Sequence, residues 1–213
     1  MRLILGGGGD ENEEAAVLDY FARCIGGNAR VLYLPIAAND SETHPGRYRD
    51  WIASALGSRG VTVAAMWPTL AGHAPPELEA FDAIFIGGGN TFDLLHQLRS
   101  RGFADALVSF ASARRVVYGG SAGAIILGRD IASCIHYDQN RIGLTDTSGL
   151  DLCAGNCVWC HFEAEQSEVV DGYVKSTGHT MLVLPKTAGV VVTADERGTD
   201  GFQQAAGVPT LQP

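Results

Sequence analysis

The chain has 213 residues, 46% of them hydrophobic and 18% charged, with a formal net charge of −9. This is the composition of an ordinary globular protein with material for a sizeable core, and its acidity sets it against phosphate backbones and anionic membrane surfaces. No run of about 18 apolar residues offers a membrane span, and Met1 leads straight into Arg2-Leu3-Ile4-Leu5 without the pattern of a secretory leader. The odd count of five cysteines also speaks against an extracellular disulfide framework. A cytoplasmic location is expected, with no nucleic-acid or membrane partner.

Short apolar runs alternate with stretches of helical period, the pattern of βαβ units around a buried parallel sheet. Strands are predicted over residues 3–5, 31–36, 61–67, 83–86 and 116–118, nearly continuous in apolar character as strands covered on both faces should be. Helices are predicted over 13–24, 47–56 and 92–101; in the last, Leu94, Leu95 and Leu98 share one face. Beyond residue 121 come a short helix (122–127), a polar stretch to Leu150, a strand (157–162), a helix (168–177) and strands at 181–184 and 190–193. A turn follows at Asp195-Glu196-Arg197-Gly198. With no repeat or linker, residues 1–213 read as one α/β domain, a three-layer sandwich with a mostly parallel central sheet.

In Val116-Val117-Tyr118-Gly119-Gly120-Ser121-Ala122-Gly123-Ala124 an apolar strand passes through a small-residue turn into a helix. Gly119, Ser121 and Gly123 fit a G-x-S-x-G elbow, which would project the serine where a helix N-terminus can stabilise an alkoxide and an oxyanion. The plain alternative is a serine that merely caps a helix. A second glycine loop, Gly87-Gly88-Gly89-Asn90-Thr91, follows the strand at 83–86. Loops of this kind gather at the carboxyl edge of a parallel sheet, where N–H groups of Gly88 or Gly89 could join that of Ala122 in an oxyanion hole. Asn90 or Thr91 would cap the next helix and stand near substrate. The run Gly6-Gly7-Gly8-Gly9 does not fit a dinucleotide fingerprint, because Glu11 or Asn12 falls where its last glycine belongs and acids crowd the helix start. Those acids complement the helix dipole instead, and no cofactor is expected.

A serine needs a base to be nucleophilic near neutral pH. Of six histidines, His161 at the end of the apolar run Cys157-Val158-Trp159-Cys160 is the best placed, and His136 is its rival. Cys153, Cys157, Cys160 and His161 lack the spacing of a zinc knuckle, so buried free thiols are expected and no metal.

Gly87-Gly88-Gly89-Asn90-Thr91-Phe92, Gly120-Ser121-Ala122-Gly123 and Cys160-His161-Phe162 together resemble the peptidase E family of serine peptidases, which includes aspartyl dipeptidase and, more distantly, cyanophycinase. The resemblance implies a fold similar to class I glutamine amidotransferases, Ser121 as nucleophile, His161 as general base, and Gly89 with Ala122 as oxyanion donors. It also implies a carboxylate after a strand ending in Leu-Pro, yet Leu184-Pro185 is followed by Lys186-Thr187. Glu163 is the first candidate for the missing acid and Asp138 the second. The family's aspartyl dipeptidases use an arginine after the histidine, whereas 162–174 holds Glu163, Glu165, Glu168 and Asp171 and no arginine; a preference for N-terminal Asp is not expected. The expected activity is hydrolysis of short peptides, with a catalytically weak small-molecule-binding protein, or an esterase or amidase, as the alternatives. A homodimer is expected, two-fold pairing being the commonest closed arrangement.

Overall fold

The structure is a computed structural model that describes residues 1–194 and 200–204. Its strands are β1 (Arg2–Gly6), β2 (Val31–Leu34), β3 (Val63–Met66), β4 (Ala83–Ile86), β5 (Val116–Gly120), β6 (Cys157–Trp159), β7 (Met181–Val183), β8 (Gly189–Ala194) and β9 (Asp200–Gln204). Its α-helices are α1 (Ala15–Ile25), α2 (Pro45–Gly57), α3 (Thr91–Ser100), α4 (Phe103–Ser112), α5 (Ala122–Ile125) and α6 (Ser167–Thr177). Seven strands form one sheet in the order β3-β2-β4-β5-β1-β8-β9, and β6 and β7 form a separate parallel pair. The first five are mutually parallel, and β8 and β9 extend the edge antiparallel.

Alternate strand residues point to opposite faces, so the sheet carries two cores. Ile4, Tyr33, Phe85 and Tyr118 meet Val17, Leu18 and Phe21 of α1 and Ile52 and Leu56 of α2. Leu3, Leu5, Leu34, Ile84 and Ile86 meet the apolar sides of α3, α4 and α5. Phe85 and Tyr118 stack at 4.0 Å between ring centroids, and each such buried side chain contributes about 1.5–3 kcal/mol. The α/β class with helices on both faces of a mostly parallel sheet is the one expected.

The differences have local causes. The sequence reading assigns no element to α4, although Phe103, Leu107 and Phe110 have helical spacing; Gly102, left-handed at φ 74°, separates it from α3. β9 has the polar sequence Asp-Gly-Phe-Gln-Gln and no apolar signal of its own; it forms on the backbone edge that β8 offers. The strand expected over 157–162 stops at Trp159, because His161 turns to φ 54°. The turn expected at 195–198 lies outside the described residues.

Register places the site. Gly6 stands opposite Gly120, and Ile86 opposite Gly119. β1, β4 and β5 therefore end level, and the three glycine-rich loops that follow them converge on one spot.

Candidate active site

Ser121 leaves β5 at φ 52° and ψ −116°, a conformation that costs a residue with a side chain on the order of 1–3 kcal/mol. Its backbone is held on both sides. The Ser121 N–H donates to the Gly6 carbonyl at 3.2 Å, and the Ser121 carbonyl accepts from Ala124 and Ile125 at 2.8 and 3.0 Å. Gly123 is demanded by the close crossing of β4, since a Cβ there would stand 3.0 Å from the Ile86 carbonyl carbon.

His161 arrives from the small sheet. Leu184 N–H donates to Trp159 O at 2.7 Å, and Phe162 N–H to Leu184 O at 3.1 Å. Gly7 joins the two sheets, donating to Ala188 O and accepting from His161 N–H, each at 2.9 Å. The Tyr137 hydroxyl donates to the His161 carbonyl at 3.2 Å, and the Gln166 amide donates to that hydroxyl. So held, His161 Nε2 lies 2.6 Å from Ser121 Oγ. Burial, and then the charge of Lys186, push the imidazole below the ordinary histidine range, while Asp138 and Glu13 pull it up. That favours the neutral imidazole, the form that can take up a proton. His136, the rival, packs its ring 5.1 Å from that of Trp159 instead.

Gly88 and Gly89 border the same cleft as Ser121. Among the described residues, the N–H groups of Gly88, Gly89 and Ala122 have no protein acceptor. They are donors without a partner beside the serine, the feature an oxyanion hole requires.

Asn90 and Thr91, expected near substrate, lie buried and occupied elsewhere. Asn90 Oδ1 accepts from Asp93 N at 3.0 Å as the cap of α3, and its amide donates to Gln139 O at 3.0 Å. Thr91 N–H and Oγ1 both donate to Asp138 Oδ2, at 2.8 and 2.5 Å. Both residues therefore anchor the segment that roofs the cleft, and their side chains do not line it.

Glu163, expected to orient the histidine, is exposed at the cleft wall. Its N–H is taken by Gln166 Oε1 at 3.0 Å. Among the described residues no carboxylate hydrogen-bonds to the second ring nitrogen of His161. The chain turns sharply at His161, at φ 54°, so that closeness in sequence does not bring Glu163 to the ring. Asp138, half-buried and lining the same cleft, acts on the ring through its charge, as Glu13 does to a smaller extent.

Cys160 points away from His161, its Sγ 3.6 Å from Ser121 O and buried. The cleft, of about 570 Å³, is completed by Gly8, Tyr137, Gln166 and Lys186. Tyr137 and Gln166 escaped the sequence reading; neither belongs to a motif, and only the fold brings them to the histidine.

The sequence model of peptidase family S51 matches residues 2–199. A peptidase E from Streptomyces coelicolor is 33% identical over 106 residues, 50% of this chain and 41% of that protein. An uncharacterised peptidase of Listeria monocytogenes is 32% identical over 83 residues, 38% of this chain and 40% of that one. The matches thus span less than half the length of either relative. Among solved structures, a candidate peptidase E protein from Listeria monocytogenes EGD-e superposes with a TM-score of 0.72 at 22% identity, over 95% of this chain and 98% of that one. A peptidase from an acI-B1 actinobacterium does so with a TM-score of 0.63 at 17% identity, over 95% and 86%. These two likenesses speak for the fold. A family match running from the first strand along almost all the sequence is far more than a five-residue motif can produce by chance: the chain belongs to peptidase family S51.

Proposed function

We propose that the chain is a single-domain serine peptidase that hydrolyses short peptides through an acyl-enzyme. The observation that carries this is the 2.6 Å approach of His161 Nε2 to Ser121 Oγ on a strained elbow. Ser121 Oγ attacks the substrate carbonyl as its proton passes to His161 Nε2. The oxyanion is received by N–H groups of Gly88, Gly89 and Ala122. Collapse expels the amine, which takes the proton from His161, and water then cleaves the ester by the reverse steps. The imidazolium formed on the way is opposed by Lys186 and favoured by Asp138. A slow enzyme follows, since loss of a hydrogen-bonded acid in related machinery costs about four orders of magnitude.

A cleft of about 570 Å³ is of the size that takes small ligands, which supports peptides of a few residues. With Lys186 and Glu163 on its wall and no arginine in residues 162–174, the site is not proposed to be selective for N-terminal aspartate. An amine-release assay on peptides from two residues upward tests this, and cleavage confined to long or folded proteins would refute it.

A second reading, a non-catalytic small-molecule binder, is favoured by one observation, the lysine in the acid's place. A fluorophosphonate separates the two: labelling that disappears in Ser121→Ala supports the peptidase, and none supports the binder. Two-fold dimerisation is proposed on general grounds, and a monomer mass by light scattering would exclude it.

A further inference from the structure

The acids after the 6–9 glycine run are not all surface partners of a helix dipole. Glu14, just ahead of α1, is only 4% exposed. Its Oε1 accepts from Gly8 N–H at 2.7 Å, and its other oxygen accepts from the Tyr118 hydroxyl. Among the described residues no cation is paired with it. A buried carboxylate without a cation is costly to keep, so what it holds is informative.

It holds two parts of the site. Tyr118 lies on β5 three residues before Ser121, opposite Ile4 of β1. Gly8, at φ 94°, lies against the catalytic pair: a Cβ there would overlap the His161 ring and stand 2.8 Å from Ser121 Cβ. We propose that Glu14 is a positioning residue for the Ser121–His161 pair, clamping the 6–9 loop to β5 and so fixing the wall on which the imidazole rests. This rests on the peptidase reading above.

The clamp has two states. Burial pushes Glu14 up to about 7. The other groups around it are Glu13, which pushes the same way; Tyr118, with Arg59 of the α2 end facing it; Cys160 after β6; and His161 and Lys186 beyond the loop. As a carboxylate, Glu14 accepts both hydrogen bonds with charge assistance. As an acid it donates its proton to the Tyr118 hydroxyl oxygen and accepts from Gly8 N–H with the other oxygen, so both contacts persist but lose their charge assistance. The clamp therefore tightens as pH rises through about 7. Stability moves the other way: a folded-state pKa raised above the unfolded one gives stability present at low pH and lost as pH rises through the folded value.

The test is the rate of fluorophosphonate labelling at Ser121, followed from about pH 5 to 9 beside thermal melts, in the whole chain and in Glu14→Gln and Tyr118→Phe. The native chain should gain rate through about pH 7, above the limb of His161. Glu14→Gln should label about tenfold more slowly at alkaline pH and lose that step, while melting no lower than the native chain there. Tyr118→Phe should slow labelling about threefold and keep the step, and it carries the test if Glu14→Gln does not fold. An unchanged rate and profile in Glu14→Gln, or a loss matched by unfolding, overturns the proposal alone. Absence of labelling in the native chain overturns the peptidase reading and this proposal with it.

Discussion

Ser121 and His161 face each other from frameworks of unequal rigidity. On the serine side, β1, β4 and β5 end level in a five-stranded parallel stretch, and the elbow is set by backbone hydrogen bonds and a close strand crossing. On the histidine side, a two-stranded sheet of three-residue strands delivers the ring, and side chains of Tyr137 and Gln166 steady it. The position of Ser121 is thus a property of the sheet, whereas that of His161 leans also on single side chains that substitution can remove. The position at which an acid is implied, now Lys186, lies on that second side.

Removing either reacting group should give the largest effect. Ser121→Ala and His161→Ala should each lower kcat/KM for a cleaved peptide by about three to six orders of magnitude. Retention of most activity in His161→Ala, with Ser121→Ala inert, would take the histidine side out of the mechanism. Next comes stability. Gly123→Ala forces a Cβ against the β4 backbone and should lower unfolding free energy by about 1–3 kcal/mol in urea titration. Tyr137→Phe loses two hydrogen bonds, one donated to His161 O and one accepted from Gln166, but at an exposed hydroxyl where water takes its place, and should lower it by only about 0.5–1.5 kcal/mol. Equal losses would erase the contrast between the two sides.

The same contrast explains what was legible in the sequence. Five parallel strands and the elbow are written in contiguous apolar runs and glycines, and His161 in the end of such a run. Asn90 as the cap of α3 is written there too, but the long-range anchors of Asn90 and Thr91 are not, because what they bind, Gln139 and the Asp138 carboxylate, is more than 45 residues away along the chain. Glu163 was nearest to His161 in sequence, but a positive φ at His161 breaks the link between sequence neighbourhood and contact. Glu14 hides among acids at a helix start, where only its burial sets it apart.

Charge around His161 gives a finer probe. Lys186 depresses the imidazole, so Lys186→Met should raise its pKa and move the acid limb of kcat/KM to higher pH. The plateau rate should rise up to about tenfold, because the imidazolium is no longer opposed. A limb that stays in place would mean that Lys186 does not act on the histidine.

The smallest expected effect separates the two carboxylates. Asp138 raises the His161 pKa through space, so Asp138→Asn should move the acid limb to lower pH, by less than about one unit since no hydrogen bond joins the two. The amide oxygen of the variant can still accept from Thr91, so the cleft roof should keep its place and KM should change little. Glu163 is not among the charges that act on the ring and is exposed at the cleft wall. Glu163→Gln should therefore leave the limb where it is and alter kcat by no more than about threefold, the scale of a solvated charge. The two profiles, taken in one buffer series, decide between position in sequence and position in space. A shift in Glu163→Gln equal to or larger than that in Asp138→Asn would return the acid's role to the residue next but one to the histidine, and would require the 161–166 turn to rearrange when substrate binds.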